Sequence, residues 1–138
     1  RVVERLGPGR LWQLGVRSGT ASEFAYAREV GHLISTQAGE LALLVEQLKN
    51  KPVYISLDID VLDPAFAPGT GTPEAGGLSS RELLEIISQV VSKLKICGFD
   101  LVEVSPPYDP SERTCILAAT LLRELALATS NTERGMRK

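Results

Sequence analysis

The chain has 138 residues, of which 43% are hydrophobic and 23% charged, and its net charge at neutral pH is -2. This is enough for one compact domain and too little for two. There is no cationic field to recruit nucleic acid or an anionic membrane, and the apolar runs fall well short of the ~20 residues that a membrane-spanning helix needs.

Strand-like and helix-like periodicities alternate along the chain. Leu11 to Val16 is a short apolar stretch that ends at Arg17-Ser18-Gly19, and it reads as a buried strand. Thr20-x-x-Glu23 has the form of a capping box, with Phe24, Ala27 and Val30 following at helical spacing. A further strand is expected near Leu33-Ile34. From Gly39, the residues Leu41, Leu44, Val45 and Leu48 form an i, i+3, i+4, i+7 stripe that is closed by Pro52, so an amphipathic helix is predicted.

Val53 to Leu57 is apolar on both faces of the pleat and predicts a central strand covered by helices on each side. A loop rich in Pro and Gly runs from Pro64 to Gly77. Ser79-x-x-Glu82 is a second capping box, and Leu83, Leu84, Ile87, Val90, Val91 and Leu94 form the longest helical stripe. Ile96 to Val104 reads as a strand and Ser105-Pro106-Pro107 as a turn. Asp109-Pro110 reads as N-cap and N1 of a last helix bearing Ile116, Leu117, Leu121, Leu122 and Leu125. Residues 129–138 read as a polar tail. The alternation predicts an α/β protein, three-layered α/β/α around a mainly parallel sheet, with residues 1–138 forming one segment without an internal boundary.

Cys97 and Cys115 make neither a C-x-x-C pair nor a disulfide framework, and no secretion signal opens the chain, so a reducing cytoplasm is the expected compartment. The start at Arg1-Val2-Val3, with the single Met at Met136, predicts a portion of something longer. The lone histidine, His32, leaves no room for a multi-histidine zinc site or a Ser-His-Asp system with a spare base, and it reads as an inter-element or surface residue.

The segment Ser56-Leu57-Asp58-Ile59-Asp60-Val61-Leu62-Asp63-Pro64 carries the most chemistry. Residues two apart on a strand share a side, so Asp58 and Asp60 are expected to converge at a strand's C-terminal end, where open α/β sheets bind their ligands. Two such carboxylates repel unless a cation or proton lies between them, and a hard divalent ion such as Mg²⁺ or Mn²⁺ suits their oxygens. Taken alone, a D-x-D pair equally describes two Asp side chains capping the following turn. An EF-hand is excluded, because Leu62, Asp63 and Gly69 stand where that loop needs an oxygen ligand, a Gly and a Glu. A D-x-D phosphatase would carry Val or Thr where this chain has Leu62, and it stays as an alternative. Gly69-Thr70-Gly71-Thr72 lacks the Gly-Lys-Ser/Thr ending of a phosphate-binding loop.

Extended from Ser56 through Asp63-Pro64-Ala65-Phe66-Ala67-Pro68-Gly69-Thr70-Gly71-Thr72-Pro73-Glu74, this segment resembles the last signature of the ureohydrolases, the family of arginase and agmatinase. Gly15-Val16-Arg17-Ser18-Gly19 and Gly98-Phe99-Asp100-Leu101-Val102-Glu103-Val104-Ser105-Pro106 are similar to further family segments, in the right order. The Pro-Gly loop and the Ser-Pro-Pro-Tyr-Asp-Pro run look closer to agmatinase than to arginase.

The resemblance implies an arginase-like fold and hydrolysis of a guanidino group to an amine and urea by hydroxide held at a binuclear manganese centre. It also implies that Asp58 and Asp60 are metal ligands, that Glu103 holds the guanidinium, that Thr72 lines the pocket, and that the protein is a homo-oligomer. A carboxylate at a strand end is the natural bidentate partner of a planar guanidinium, which agrees with the place given to Glu103. Asp100 reads equally as a supporting group or a strand-end acceptor. The family's Gly-Gly-Asp-His and Asp-Ala-His-x-Asp motifs, which supply its other metal ligands, are absent, as is its catalytic histidine loop. The chain is therefore expected to be the C-terminal half of a ureohydrolase that needs an N-terminal half to complete the metal site, or else a non-catalytic remnant acting through protein contacts.

Overall fold

The computed structural model describes residues 1–136, with side chains described as far as Ser130. It forms two compact units, Arg1–Leu41 and Ala42–Lys138. The single-segment expectation contained no such division. The strand pairing matches it: each unit holds its own two-stranded parallel sheet.

In the first unit, a five-residue helix α1 (Val2–Leu6) buries no residue and has no side-chain cap, which is why no sequence pattern announces it. Strand β1 (Trp12–Leu14) and strand β2 (His32–Ile34) pair in parallel, with Trp12 opposite His32. Their rings stack with centroids 3.8 Å apart and planes 19° from parallel. Helix α2 (Ala21–Val30) connects the two strands. Its predicted capping box is formed, with the Glu23 amide donating to Thr20 Oγ1 at 3.2 Å and the Thr20 amide donating to Glu23 Oε2 at 2.7 Å. Helix α3 (Ala38–Leu48) contains the point of division and buries Leu41, Leu44 and Leu48, the expected stripe.

In the second unit, strand β3 (Pro52–Asp58) pairs in parallel with strand β4 (Lys95–Val102), with one irregularity between Val53 and Tyr54. Helix α4 (Ser80–Val90) starts from the second capping box, where the Glu82 amide donates to Ser79 Oγ at 3.2 Å and the Ser79 amide donates to Glu82 Oε2 at 2.7 Å. It buries Leu83, Ile87 and Val90, and a 3₁₀ turn (Val91–Lys93) carries Val91 into the same core. Helix α5 (Arg113–Met136) closes the unit. Ile55, Leu57, Ile96, Phe99 and Leu101 of the sheet pack against a buried core of Ile59, Leu62, Leu83, Ile87, Val91, Ala118, Leu121 and Leu125. Each fully buried leucine of this set contributes about 1.5–3 kcal/mol.

Three expectations about this unit need correction. Strand β3 alternates between half-buried and exposed residues, and Tyr54 is 59% exposed, so helix cover lies over one face among the described residues rather than both. On the open face the Tyr54 hydroxyl donates to Asp100 Oδ2 at 2.8 Å and Ser56 Oγ donates to Asp100 Oδ1 at 2.7 Å. The Tyr54 ring lies so close over Gly98 that a Cβ there would sit 3.0 Å from it.

Helix α5 begins at Arg113 rather than Pro110, because Asp109 turns the intervening residues before capping the helix. This later start fixes the buried stripe as Thr114, Ala118, Leu121 and Leu125, and leaves Ile116 and Leu122 exposed. The helix also continues to Met136 through part of the expected polar tail. There the Thr129 hydroxyl donates to the Leu125 carbonyl at 3.1 Å and the Ser130 hydroxyl to the Ala126 carbonyl at 2.9 Å, so polar residues are accommodated on a continuing helix. The rest of the tail expectation, 137–138, lies outside the described residues. Among the described residues no helix is long and apolar enough to cross a membrane.

Candidate functional site

Strand β3 ends at Asp58 because its carboxylate accepts the amide of Asp60 at 3.1 Å, an Asx-type cap that turns Ile59–Val61 into a single 3₁₀ turn. Asp60 therefore stands in the turn and not on the strand, and the two-residue strand periodicity is not what brings it near Asp58. The turn-capping alternative holds for Asp58. Between the two acids, the fully buried Ile59 pins the turn to the core.

The loop that follows is drawn closed at its base by Asp63. Its Oδ1 accepts the Ala65 amide at 2.9 Å and its Oδ2 the Gly76 amide at 2.8 Å, while the Asp63 amide donates to the Leu78 carbonyl at 2.9 Å. Deeper in the loop, the Gly69 amide donates to Thr114 Oγ1 at 2.8 Å, and the Gly69 carbonyl accepts the Ser105 amide at 2.8 Å. Thus pinned, the loop brings Thr72 to Asp60, with the Thr72 hydroxyl donating to Asp60 Oδ2 at 3.3 Å. It also sets Gly71 beside Glu103, whose Oε2 would lie 3.9 Å from a Cβ at that position.

Glu103 follows β4 directly and has a left-handed backbone, φ 63°. That conformation is uncommon outside glycine and persists where the surroundings impose it. Burial pushes the Asp58 carboxyl above its ordinary value against the opposing hydrogen bond from the Asp60 amide, and the negative charges of Asp60 and Glu103 push it further the same way. The second unit thus gathers Asp58, Asp60, Thr72 and Glu103 at one end of its sheet. Asp100 is engaged elsewhere, on the open sheet face, and His32 belongs to the first unit.

Sequence reasoning passed over several residues that build this end. Asp63 does carry a sequence signal, because Asp-Pro ahead of a glycine-rich loop is turn-forming. Thr114 is completely buried and carries no motif of its own; only its distance of five residues from Asp109 hints at a contact. Thr70 is buried with a hydroxyl that meets no partner among the described residues.

The donors fit a hard divalent cation by chemistry: two carboxylates in one hydrogen-bonded turn, one of them made less acidic than usual by burial and neighbouring negative charge. Among the described residues no group of three or more His, Cys, Asp and Glu side chains could hold a metal ion. Two carboxylates by themselves do not make a closed metal site.

Residues 1–128 match the Arginase family. The chain is 49% identical over 125 residues to an agmatinase of Halalkalibacterium halodurans, a stretch covering 88% of this chain and 43% of that protein. It is 46% identical over 129 residues to the mitochondrial guanidino acid hydrolase of Homo sapiens, covering 86% of this chain and 36% of that one. The fold superposes on the crystal structure of the agmatine ureohydrolase of Thermoplasma volcanium with a TM-score of 0.77 and 34% identity, over 96% of this chain and 46% of that chain. The chain therefore spans less than half the length of these relatives. With nearly its whole length matched in sequence, and its parallel α/β elements matched in space, the chain belongs to the arginase family.

Proposed function

We propose that this chain is the C-terminal half of an agmatinase-like ureohydrolase, which hydrolyses the guanidino group of agmatine or a related compound to an amine and urea. The observation that carries this reading is the gathering of Asp58, Asp60, Thr72 and Glu103 at one sheet end, in a chain 49% identical to an agmatinase. Family membership favours it over the D-x-D phosphatase alternative.

In this reading Asp58 and Asp60 contribute two carboxylates to a manganese pair, and the ligands they lack come from an N-terminal half. When bound, the metal supplies a water acidic enough to act as nucleophile near neutral pH. Glu103 receives the planar guanidinium through paired charge-assisted hydrogen bonds and fixes the carbon to be attacked. Thr72, tied to Asp60, borders the same space and orders the carboxylate it touches. In the overall reaction the water oxygen adds to the guanidinium carbon, the C–N bond to the alkyl nitrogen breaks, and that nitrogen leaves as the protonated amine. The proposal includes a cytoplasmic homo-oligomer.

The test is urea release from agmatine, arginine and guanidino acids by the full-length protein loaded with Mn²⁺. Turnover of one of them is the expected result. Absence of urea from all, in a folded and metal-loaded protein, would replace this reading with that of a non-catalytic remnant.

A further inference from the structure

We infer that Thr114, backed by Asp109, is a positioning residue that acts through Gly69 to hold both Thr72 and Glu103 in their places. This rests on the ureohydrolase reading for the reaction it serves, and on the hydrogen bonds of the second unit for its mechanics.

Thr114 is fully buried at the start of α5, and Asp109 is 4% exposed. Asp109 Oδ2 accepts both the Thr114 amide at 2.8 Å and the Thr114 hydroxyl at 2.7 Å, while Oδ1 accepts the Ser111 amide and hydroxyl. The direction of the Thr114 hydroxyl is thereby fixed: its proton goes to Asp109, and its lone pairs are left for the Gly69 amide at 2.8 Å. Gly69 in turn accepts the Ser105 amide at 2.8 Å. One residue is thus held from both sides, by the helix start on one and by the exit from β4 on the other.

Both functional side chains hang from that point. Thr72 lies three residues beyond Gly69, and Glu103 two residues before Ser105. The left-handed backbone of Glu103 is a conformation that needs external support, and the Ser105–Gly69 bond closes the chain just past it. The packing leaves no slack, since a Cβ on Gly69 would lie 2.9 Å from Asp109 Cβ and 2.9 Å from Thr114 Oγ1. A neutral apolar residue at 114 would leave the Gly69 amide buried and unpaired, which favours a shifted loop over the present one.

The experiment compares Thr114→Val, which keeps the shape and removes the hydroxyl, with Thr114→Ser, which keeps the hydroxyl, in the full-length protein with Mn²⁺. Two readouts are taken on the folded fraction: amide hydrogen exchange of residues 69–72, and kcat and KM for urea release. Thr114→Val is expected to speed exchange at 69–72 and to lower kcat/KM by about tenfold or more, and Thr114→Ser to restore both. If Thr114→Val lowers Tm but leaves exchange and kinetics per folded molecule as in the parent, Thr114 is merely structural and the inference is overturned. Faster exchange with unchanged kcat/KM overturns it too, because the loop would then move without consequence for the reaction. Should Thr114→Val fail to fold, Asp109→Asn, which retains an acceptor for the Thr114 amide but weakens control of the hydroxyl, takes its place under the same criteria. Absence of urea from the parent itself counts against the ureohydrolase reading, while the exchange comparison still decides whether Thr114 holds the loop.

Discussion

The Thr72 hydroxyl donates to the Asp60 carboxylate at 3.3 Å across twelve positions of sequence, so a loop residue and a turn residue share one carboxylate oxygen. An amide in place of the acid can still accept that hydrogen bond through its carbonyl, which allows charge to be removed without releasing the loop.

From this follows the expectation for Asp58→Asn and Asp60→Asn in the full-length protein. Each should lower bound manganese and nearly abolish urea formation, while the fold, followed by circular dichroism and Tm, persists. Metal content by elemental analysis, together with turnover, checks it. Normal values of both in the two variants would remove these residues from the ligand set.

Glu103→Gln should leave manganese content unchanged and reduce kcat/KM for the guanidino substrate by the equivalent of roughly 2 to 4 kcal/mol, because it removes the charge from the group proposed to hold the guanidinium. Side-by-side steady-state kinetics and metal analysis would show the split. Kinetics unchanged across guanidino substrates would return Glu103 to a structural role.

Asp109 supplies a pH dependence whose sign is fixed. Hydrogen bonds from the Ser111 hydroxyl and then from the Thr114 amide and hydroxyl hold its carboxyl well below the usual carboxylate range. A carboxyl whose folded value is depressed stabilises the fold fully above its unfolded value of about 3.9, and loses that contribution as pH falls toward the folded value. Tm should therefore fall more steeply below about pH 4 in the parent than in Asp109→Asn, and the gap between the two proteins should be widest near neutrality. Parallel Tm–pH curves would show that the network does not favour the ionised acid.

Residues 1–138 expressed alone should bind Mn²⁺ weakly and release no urea from agmatine or arginine. Two aspartates leave most positions around each cation to water, so the ion is neither fixed in geometry nor held firmly enough to acidify its water. Titration calorimetry and a urea assay, repeated after co-expression with an N-terminal half, give the comparison. Tight binding and turnover by 1–138 alone would require ligands beyond Asp58 and Asp60.

Where local chemistry decides a structure, the sequence was sufficient. The boxes Thr20-x-x-Glu23 and Ser79-x-x-Glu82 state where two helices begin, and the structure forms both, because each box satisfies its own orphan amides within four residues. Likewise Leu83, Ile87 and Val90 need only a 3.6-residue period to find their buried face, whereas the last two residues of the expected stripe, Val91 and Leu94, reach the interior from a 3₁₀ turn and its extended exit. Where the deciding partner is distant, the pattern misleads. Asp60 leaves the strand because the Asp58 side chain bends the backbone first, and Tyr54 faces outward with its hydroxyl on Asp100, 46 positions away. The start of α5 was misplaced for a related reason: Asp109 does cap the helix, but by reaching over a turn to Thr114 rather than by standing next to the first helical residue. The candidate site was legible in its acids and in Thr72, and illegible in Thr114, whose contribution arises only from contact with Gly69, 45 positions away.

The stack of Trp12 on His32 makes the first unit its own spectroscopic reporter. The chain has a single Trp, and it lies within Arg1–Leu41, so indole emission reports the surroundings of Trp12 in that unit. Tyr54 and Tyr108 lie in the second unit. Comparing the indole transition with the backbone ellipticity transition of the same sample would show directly whether the two units unfold as one cooperative body or in succession.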